Sequence, residues 1–223
     1  NNFFFKSLLK KKPFTKVKMA ISSDDKIAWG NYKSKWISNS KSRKHVHDLR
    51  SKTQAILTTS KTILKDNPRF TVRKNNKIIK YLNIVVIDKN LNIPLNTKIL
   101  KNLHERRVII FTSKKNPKSQ KLKQLGCEIV EMTSENNKLN LKKIFTYLYK
   151  LKISDLLVEA GGILFADLLK NKLVNEIHLF KAPIIIGKKG IPVIEGNSLK
   201  NIKKKLIETI KFEDNLYIKY EVN

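Results

Sequence analysis

An apolar strand that runs through a Gly-Gly turn into an apolar helix is the feature that most constrains how this chain can fold. Within residues 156–170, positions 156–159 read as the strand and positions 163–170 as the helix. A strand that is apolar at nearly every position is buried on both faces of a parallel sheet, so helices must cover both faces. The pattern predicts an α/β fold with Glu159 at the carboxyl edge of the sheet, where such folds hold ligands.

The turn itself fits two interpretations. Gly161 and Gly162 would let the backbone approach a pyrophosphate closely, and the helix that follows offers N–H groups with no partner inside the helix. A tight β-α turn that binds nothing explains the dipeptide equally well, because Gly-Gly is a weak motif. The choice between the two depends on other parts of the chain.

Positive charge pervades the sequence without forming a nucleic-acid signature. The 223 residues include 47 Lys and Arg against 18 Asp and Glu, a formal net charge of +29. The lysines are spread over every segment beside many Asn and Ile, and no aromatic-rich basic stripe of the kind that stacks bases is present. We expect this field to attract phosphorylated small molecules and to bind nucleic acid weakly and without specificity.

Cysteine use and hydropathy narrow the class of protein. The single Cys127 excludes an internal disulfide, predicts a small buried residue and indicates a reducing compartment, and no metal site is expected. No apolar run approaches the ~20 residues that span a bilayer, so we expect no membrane partner and a cytoplasmic protein. Residues 1–12 read as a basic N-terminal segment without the pattern of a signal peptide, and residues 13–223 as a single domain.

Further elements are predicted from alternation and helical periodicity. Strands are expected at residues 14–21, 55–60, 81–88, 107–112, 127–132 and 176–187, and an antiparallel hairpin at residues 206–212 and 216–222. Helices are expected at residues 117–125 and 139–150, and after a cap at Ser38 or Ser40 with an inner face of Ser42, Val46, Leu49 and Thr53. Pro183 is typical of a bulge or an edge strand, and His45 and His47, two apart on different helix faces, are expected at the surface.

Four blocks in order carry a resemblance to a known family. They are Lys-Met-Ala-Ile-Ser-Ser-Asp-Asp-Lys-Ile-Ala at 18–28, Ser-Lys-Trp-Ile-Ser at 34–38, the stretch from Thr62 through Asp-Asn-Pro to Arg73, and Val-Glu-Ala-Gly-Gly at 158–162. Ala182, Pro183 and Gly187 continue the match. The chain resembles the reductase domain of the riboflavin-biosynthesis bifunctional deaminase-reductase. This resemblance implies a dihydrofolate-reductase-like α/β fold: a mixed, mostly parallel central sheet, helices on both faces and a C-terminal antiparallel hairpin.

The sequence departs from the family pattern at two positions and lacks one domain. Asp25 stands where Gly is usual, which matters if that loop needs a positive φ, and Ser38 replaces Thr but keeps the hydroxyl. The His-x-Glu and Cys-rich zinc signature of the deaminase is absent. We therefore expect a stand-alone reductase, with a separate deaminase chain as a partner to look for.

The resemblance implies an NADPH-dependent oxidoreductase that reduces 5-amino-6-(5-phosphoribosylamino)uracil at the ribose C1′, a phosphorylated pyrimidine substrate. The residues implied as catalytic are Lys18, Asp66 and Glu159. Those implied to bind NADPH are Ala20, Trp36, Thr62, Asp66, Lys89, Gly161, Gly162, Ile163, Leu164, Phe165, Ala166 and Asp167. Those implied to bind substrate are Ser34, Ser38, Arg50, Phe70, Arg73 and Glu159.

Each role has a plainer alternative. Arg50 and Arg73 offer the guanidinium fork that suits phosphate or pyrimidine carbonyl oxygens, but isolated arginines commonly form surface salt bridges. Lys18 and Glu159 could meet over the ribose or form a buried pair without a catalytic role. Asp66 could cap a turn instead of binding the carboxamide, and Trp36 could be packing. Lys89 and Lys114 are assigned to the adenosine 2′-phosphate from charge alone.

Two further functions and one assembly remain in view. A dihydrofolate-reductase-like enzyme acting on another pterin or pyrimidine would use the same sheet and cofactor, and a basic nucleic-acid-binding module would use the charge. The segment 181–187 and the closing hairpin present apolar strand surface, from which we expect a homodimer.

Overall fold

The computed structural model of the chain describes residues 7–31, 37–195 and 202–222. The helices within these residues are α1 (Ser40–Ser51), α2 (Ser60–Asp66), α3 (Pro117–Gln124), α4 (Leu141–Lys150) and α5 (Gly162–Lys170), with a 3-10 turn at Lys98–Leu100. The strands are β1 (Phe14–Ile21), β2 (Lys26–Ala28), β3 (Ala55–Thr59), β4 (Thr71–Lys74), β5 (Lys77–Tyr81), β6 (Asn83–Ile87), β7 (Val108–Thr112), β8 (Glu128–Glu131), β9 (Ser134–Glu135), β10 (Lys138–Leu139), β11 (Asp155–Val158), β12 (Glu176–Lys181), β13 (Ile191–Pro192), β14 (Lys204–Phe212) and β15 (Asn215–Val222). Among the described helices, none has the length and apolar character needed to cross a bilayer.

The chain divides into two compact units. Unit 1 contains residues 50–157 with the described residues up to 14, and unit 2 contains the described residues of 15–49 and 158–223. The predicted α/β class is confirmed, with a mixed, mostly parallel sheet, helices and C-terminal antiparallel strands. The assignment of residues 13–223 to a single domain stays a prediction.

Unit 1 is built on parallel strands in the order β11-β3-β6-β7-β8. Strands β3, β6, β7 and β8 pair in parallel, as their uninterrupted apolar runs predict. Their inward side chains form a core with Ile63 of α2 and Leu122 of α3, and this core includes the free Cys127, which is buried as expected. Burial raises the pKa of the Cys127 thiol to about 11, so the sulfur is protonated and inert.

Two small hairpins in unit 1 were not predicted. Strands β4 and β5 pair around Asn75 and Asn76, and β9 and β10 pair around Asn136 and Asn137. All four asparagines have positive φ. Asparagine tolerates this left-handed conformation, which two-residue hairpin turns of the primed type require. The strands escaped detection because most of their side chains are exposed, so no apolar alternation marks them.

Unit 2 combines one parallel and two antiparallel pairings in the order β14-β15-β12-β1. Strand β12 pairs in parallel with β1 on one side and antiparallel with β15 on the other. The predicted closing hairpin is confirmed as β14 and β15. Phe180 and Tyr217 from these strands meet Val46 of α1 in the unit's core, with Ala20 and Leu49 packed against them.

The prediction of a strand across residues 176–187 was wrong in two respects. Strand β12 ends at Lys181, and it lies between two strands instead of at an edge. The N–H of Ala182 makes the last main-chain bond, to the carbonyl of Ile21, and Pro183 has no N–H to continue the ladder. Residues 182–187 therefore follow an irregular path.

Two local predictions around α1 are also corrected. The cap is Asn39, not Ser38 or Ser40, because Asn39 Oδ1 accepts a hydrogen bond of 2.9 Å from the N–H of Ser42. His45 lies in an aromatic cluster instead of at the surface, and its ring centroid is 4.6 Å from that of Tyr217. The sequence suggested an exposed position because the aromatic partners come from the distant hairpin.

Candidate functional site

In unit 1, two of the predicted substrate residues lie against the same short segment. The Arg50 guanidinium carbon is 5.8 Å from the centroid of the Phe70 ring, and Arg50 Nη1 donates to the carbonyl of Thr71 at 3.3 Å. Arg73 Nε donates to Thr71 Oγ1 at 3.3 Å. The structure thus brings Arg50, Phe70 and Arg73 together around Thr71, with two positive charges side by side.

The turn that precedes this cluster has an unusual backbone. Asn67 ends α2 with φ 39° and Phe70 has φ 47°, both in the left-handed region. For an aromatic residue this conformation is a genuine outlier, since Cβ then crowds the carbonyl oxygen. The Phe70 side chain is only 3% exposed, so its ring supports Arg50 and offers little surface of its own.

Thr62 and Asp66 both belong to α2. The Thr59 side chain caps this helix by accepting from the N–H of Thr62 at 3.3 Å, and the two hydroxyls are 3.2 Å apart. Asp66 is the last residue of the helix and is half-buried. The Asn-Pro pair does end the helix as expected, with the amide of Asn67 bonded back to Ile63.

Lys89 follows β6 and is held through its main chain. Its carbonyl accepts from Thr112 Oγ1 at 2.9 Å, from Ser113 Oγ at 3.1 Å and from the N–H of Ser113 at 3.0 Å. Its ammonium donates to Asn137 Oδ1 in the β9–β10 hairpin. Lys114 follows the same bend and is exposed. Two cations therefore lie near the carboxyl ends of β6 and β7.

In unit 2, the two glycines of the central turn have different surroundings. A Cβ at Gly162 would come within 2.9 Å of the carbonyl oxygens of Pro192 and Val193, so packing of the chain itself requires glycine there. A Cβ at Gly161 would meet nothing within 4 Å among the described residues. Gly161 is also the N-cap of α5, and no side chain accepts from the first turn of this helix. Gly161 therefore leaves helical N–H groups next to open space, an arrangement that suits an anion.

The helix after this turn mostly faces inward. Ile163 is 44% exposed, whereas Leu164, Phe165 and Ala166 are buried and Asp167 is half-buried. The side chains of the buried three contribute to packing, so any contact that they make with a cofactor must come through the backbone.

The remaining predicted residues of unit 2 lie on strands or next to them. Lys18 and Ala20 are half-buried on β1, where they pair in register with His178 and Phe180. Glu159 is half-buried directly after β11, as the sequence predicted. Ser38 is half-buried before α1, and its carbonyl accepts from Arg43 Nη1. The predicted residues Ser34 and Trp36 lie outside the described residues.

A carboxylate clamp at Asp24 was missed. Its Oδ1 accepts from Ser22 Oγ at 2.6 Å and from the N–H of Ile186 at 3.0 Å, and its Oδ2 accepts from the N–H of Gly187 at 2.8 Å. The hydrogen bond from Ser22, followed by those from the main chain, holds the Asp24 pKa well below its usual range. Asp24 therefore fastens residues 186–187 to the β1–β2 loop.

The neighbouring Asp25 answers the question raised by its departure from the family pattern. Asp25 has φ 57°, the conformation for which the family's glycine is suited. Its carboxylate lies 3.0 Å from Lys181 Nζ, and its carbonyl accepts from the N–H of Val193 at 3.0 Å. The loop keeps a left-handed residue at this position without glycine.

A buried polar chain on β12 and β15 was also missed. His178 Nδ1 lies 2.8 Å from Tyr217 Oη, His178 Nε2 lies 3.1 Å from Glu176, and Lys219 Nζ lies 2.8 Å from the other oxygen of Glu176. Burial alone would raise the pKa of Glu176, but the bonds from His178 and Lys219 and the charge of Lys219 lower it to about 2. The alternation of Glu176, His178 and Phe180 was the available signal, since it places the three on one face of the strand.

The strand order and the half-sites described above define a dihydrofolate-reductase-like protein. Dihydrofolate reductase from Enterococcus faecalis, solved with NADP(H), superposes with a TM-score of 0.51 at 12% identity over 94% of this chain and 96% of that one. The sequence model of the family described as "RibD C-terminal domain" matches residues 13–217. The chain belongs to this family, so the resemblance found in the sequence is confirmed.

Named relatives and structures agree with this membership. The riboflavin biosynthesis protein RibD of Aquifex aeolicus is 35% identical over 219 residues, covering 94% of this chain and 58% of that protein. The 2,5-diamino-6-ribosylamino-4(3H)-pyrimidinone 5′-phosphate reductase of Archaeoglobus fulgidus is 30% identical over 209 residues, covering 90% of this chain and 93% of that protein. A Thermotoga maritima deaminase/5-amino-6-(5-phosphoribosylamino)uracil reductase superposes with a TM-score of 0.82 at 25% identity, covering all of this chain and 60% of that one.

Proposed function

We propose that this chain is a reductase of riboflavin biosynthesis that reduces 5-amino-6-(5-phosphoribosylamino)uracil to its ribitylamino product with NADPH. The observation that carries the proposal is the membership of residues 13–217 in the RibD C-terminal domain family. The match to nearly the whole length of an archaeal protein named as a reductase supports assigning the reduction step to this part of the sequence. The dihydrofolate-reductase-like fold supports a nicotinamide cofactor.

The residues of the glycine turn fit a dinucleotide phosphate. Gly161 leaves space where a side chain would stand, and α5 begins without a side-chain cap, so its N–H groups can donate to phosphate oxygens. In unit 1, Lys89 and Lys114 are the cations that we assign to the adenosine 2′-phosphate, which favours NADPH over NADH. Bound NADPH supplies the hydride, and the protein supplies binding, orientation and charge.

The substrate-binding role falls to Arg50 and Arg73. Two guanidinium groups around Thr71 offer forks of donors to a phosphate or to pyrimidine carbonyl oxygens. Phe70 acts through Arg50, since its covered ring lies beneath that guanidinium. In unit 2, Lys18 and Glu159 are the titratable groups that we assign to the ribose, where reduction at C1′ takes up one proton with the hydride.

The decisive experiment is NADPH oxidation followed at 340 nm with the purified chain and each of two pyrimidines. We expect turnover with the deaminated uracil substrate. The 2,5-diamino pyrimidinone, the compound named for the archaeal relative, is the comparison that tests substrate choice. Dihydrofolate tests the alternative reductase, and NADH in place of NADPH tests the cofactor. Turnover with dihydrofolate alone, or equal efficiency with both cofactors at low ionic strength, would contradict the proposal.

The role of Glu159 can be separated from cofactor binding. We expect Glu159→Gln to lower kcat by about 10²-fold, the range for loss of a group that acts in proton transfer, while NADPH affinity changes little. Glu131→Gln is a matched control, because Glu131 is an exposed carboxylate at the end of β8. An equal loss of cofactor affinity and rate would remove Glu159 from the substrate side.

We also propose a homodimer, with the closing hairpin as its contact surface. Strand β14 is the edge of the unit 2 sheet, and Leu206 and Ile207 on it are 56% and 46% exposed. An apolar edge is a surface for pairing with a second copy. Sedimentation at ~0.15 M salt tests this, since screening is then effective beyond a Debye length of about 8 Å. Ile207→Lys should give monomer, whereas Thr209→Lys on the same strand should leave the dimer intact.

A further inference from the structure

Arg106 is a buried cation without an acidic partner. The residue is 6% exposed, and within the described part of the chain its guanidinium pairs with no carboxylate. It donates from Nη1 to the carbonyl of Arg69 at 2.7 Å, and from Nη2 to the carbonyls of Lys98 at 3.1 Å and Lys101 at 3.2 Å. Its Nε has no acceptor among the described residues. A buried charge is costly, so one retained beside backbone carbonyls alone needs an explanation.

The carbonyls that it binds belong to two irregular segments. Arg69 lies in the turn between α2 and β4, while Lys98 and Lys101 bound the 3-10 turn. A second bond joins the same segments, because Asn67 Oδ1 accepts from the N–H of Lys98 at 2.9 Å. The Tyr81 ring covers the guanidinium at 5.4 Å. Arg106 and Asn67 therefore fasten the turn at residues 67–70 to the 3-10 turn at two points.

This turn determines where the substrate cluster lies. Phe70, which follows Arg69 directly, holds a left-handed conformation that an aromatic residue adopts only when its surroundings impose it. Arg50 rests on the Phe70 ring and bonds the carbonyl of Thr71. A rotation of the peptide between Arg69 and Phe70 would therefore move both Arg50 and the Thr71 hydroxyl that holds Arg73.

We propose that Arg106 is a positioning residue for the substrate-binding arginines, because its guanidinium holds the Arg69 carbonyl and so fixes the strained turn on which Arg50 and Arg73 depend. The inference rests on the proposed function for its meaning in catalysis. Arg106 itself touches no substrate. It acts through the main chain of residues 69–71, more than a side-chain length away from the groups that do.

Arg106→Lys is the variant that tests this. Lysine keeps the positive charge but has one compact ammonium, which cannot bridge the Arg69 carbonyl and the Lys98 and Lys101 carbonyls together as a planar fork does. We expect kcat/KM for the pyrimidine to fall by at least about tenfold, mainly through KM, with KM for NADPH within about twofold of wild type. Asn67→Gly keeps the left-handed conformation, removes the second bond and should produce a smaller change in the same direction.

Arg107→Lys is the matched control, one position along. The Arg107 guanidinium lies at 2.6 and 2.8 Å from the two oxygens of Glu128 and is half-exposed. The same substitution there should leave both KM values unchanged. If Arg106→Lys alters the two KM values equally, or alters neither, Arg106 has only a structural role and the proposal is overturned.

Hydrogen exchange of the protein without substrate or cofactor provides an independent measurement. In Arg106→Lys the amides of residues 69–72 should exchange at least about tenfold faster, while those of β3 and β6 keep their wild-type rates. Unchanged exchange in the turn would overturn the proposal even if activity falls. If the wild-type chain oxidises no NADPH with the pyrimidine, the proposed function fails, and the exchange result still decides whether Arg106 anchors the turn.

Discussion

Asp24 in unit 2 and Arg106 in unit 1 solve the same problem with opposite charges. Each fastens an irregular segment by bonding its main chain: the carboxylate accepts from the N–H groups of Ile186 and Gly187, and the guanidinium donates to the carbonyls of Arg69, Lys98 and Lys101. The two differ in depth, because Arg106 is buried and Asp24 is half-buried. Irregular backbone leaves donors or acceptors without partners, and a single charged side chain of the right sign can satisfy several at once.

The difference in depth determines how each anchor fails. Water can replace a carboxylate at a half-exposed loop, so losing Asp24 loosens the segment locally. Water cannot reach the carbonyls around Arg106 without opening the core of unit 1, so losing Arg106 leaves buried acceptors without donors. The comparison predicts a global cost in one case and a local change in the other.

The largest expected effect is therefore on stability at Arg106. We expect Arg106→Met, which keeps most of the volume, to lower the free energy of unfolding by about 4 kcal/mol, since three buried carbonyls lose a charged donor. Urea denaturation followed by circular dichroism measures this change. Arg107→Met removes an exposed ion pair and should cost less than about 1 kcal/mol. Equal losses would show that depth does not distinguish the two positions.

A paired charge provides the reference case. Glu176, whose pKa is lowered to about 2 by His178 and Lys219 against the opposing effect of burial, contributes stability that is present above its unfolded pKa near 4.5 and lost as the pH falls towards 2. We expect this contribution to be about 2–3 kcal/mol at neutral pH. Glu176→Gln should remove it and flatten the acid limb of a stability-against-pH curve. An acid limb as steep as that of wild type would assign the titration to another group.

Acid should separate the two anchors directly. The lowered pKa of Asp24, due first to Ser22 and then to the main-chain donors, means that its stabilisation is present above the ordinary aspartate range and is lost as the pH falls below it. Hydrogen exchange, corrected for intrinsic rates, should show Ile186 and Gly187 losing protection at about pH 3, while the turn at residues 67–70 keeps its own. Asp24→Asn should show this loosening already at neutral pH, and loss of protection in both segments together would contradict the comparison.

The smallest expected effect lies beside Asp24. Asp25→Gly should stabilise unit 2 by about 0.5 kcal/mol, because glycine adopts φ 57° without the cost that an L-residue bears there. Asp25→Asn, which keeps the side chain but removes the charge facing Lys181, should be nearly neutral, since that ion pair is largely exposed. Thermal unfolding of the three proteins measures both changes. A destabilised Asp25→Gly would show that the contact with Lys181 outweighs the backbone cost.

Much of the fold could be predicted because it rests on local periodicity. The apolar runs of β3, β6, β7 and β11 and the alternation of β1 and β15 mark buried faces that each segment carries by itself. The hairpin at Asn75 and Asn76 could not be found in this way, because exposed lysines occupy its strands. The end of β12 was missed because the ladder stops at Pro183 for lack of a donor, which the apolar run through Ile186 conceals.

The candidate site divides along the same line. Arg50, Arg73 and the Gly-Gly turn were predicted through family blocks, and the structure places Arg50 and Arg73 around Thr71. Arg106 and Asp24 were not predicted in these roles, because their partners are backbone groups of distant segments and backbone groups leave no mark in a sequence. His178 was missed for a related reason, since its partner Tyr217 comes from the closing hairpin.

The pairing of β1 with β12 has a consequence for the newly made chain. Strand β1 leaves the ribosome early, but its parallel partner β12 is synthesised only after all of residues 50–157. At about 5–20 residues per second, β1 stays without this partner for several seconds or more, long enough for unit 1 to collapse on its own. Lys16 and Lys18, which alternate with the apolar positions of β1, then act as gatekeepers that disfavour pairing with other nascent chains. In this respect the lysine content of the strand protects the protein during its synthesis.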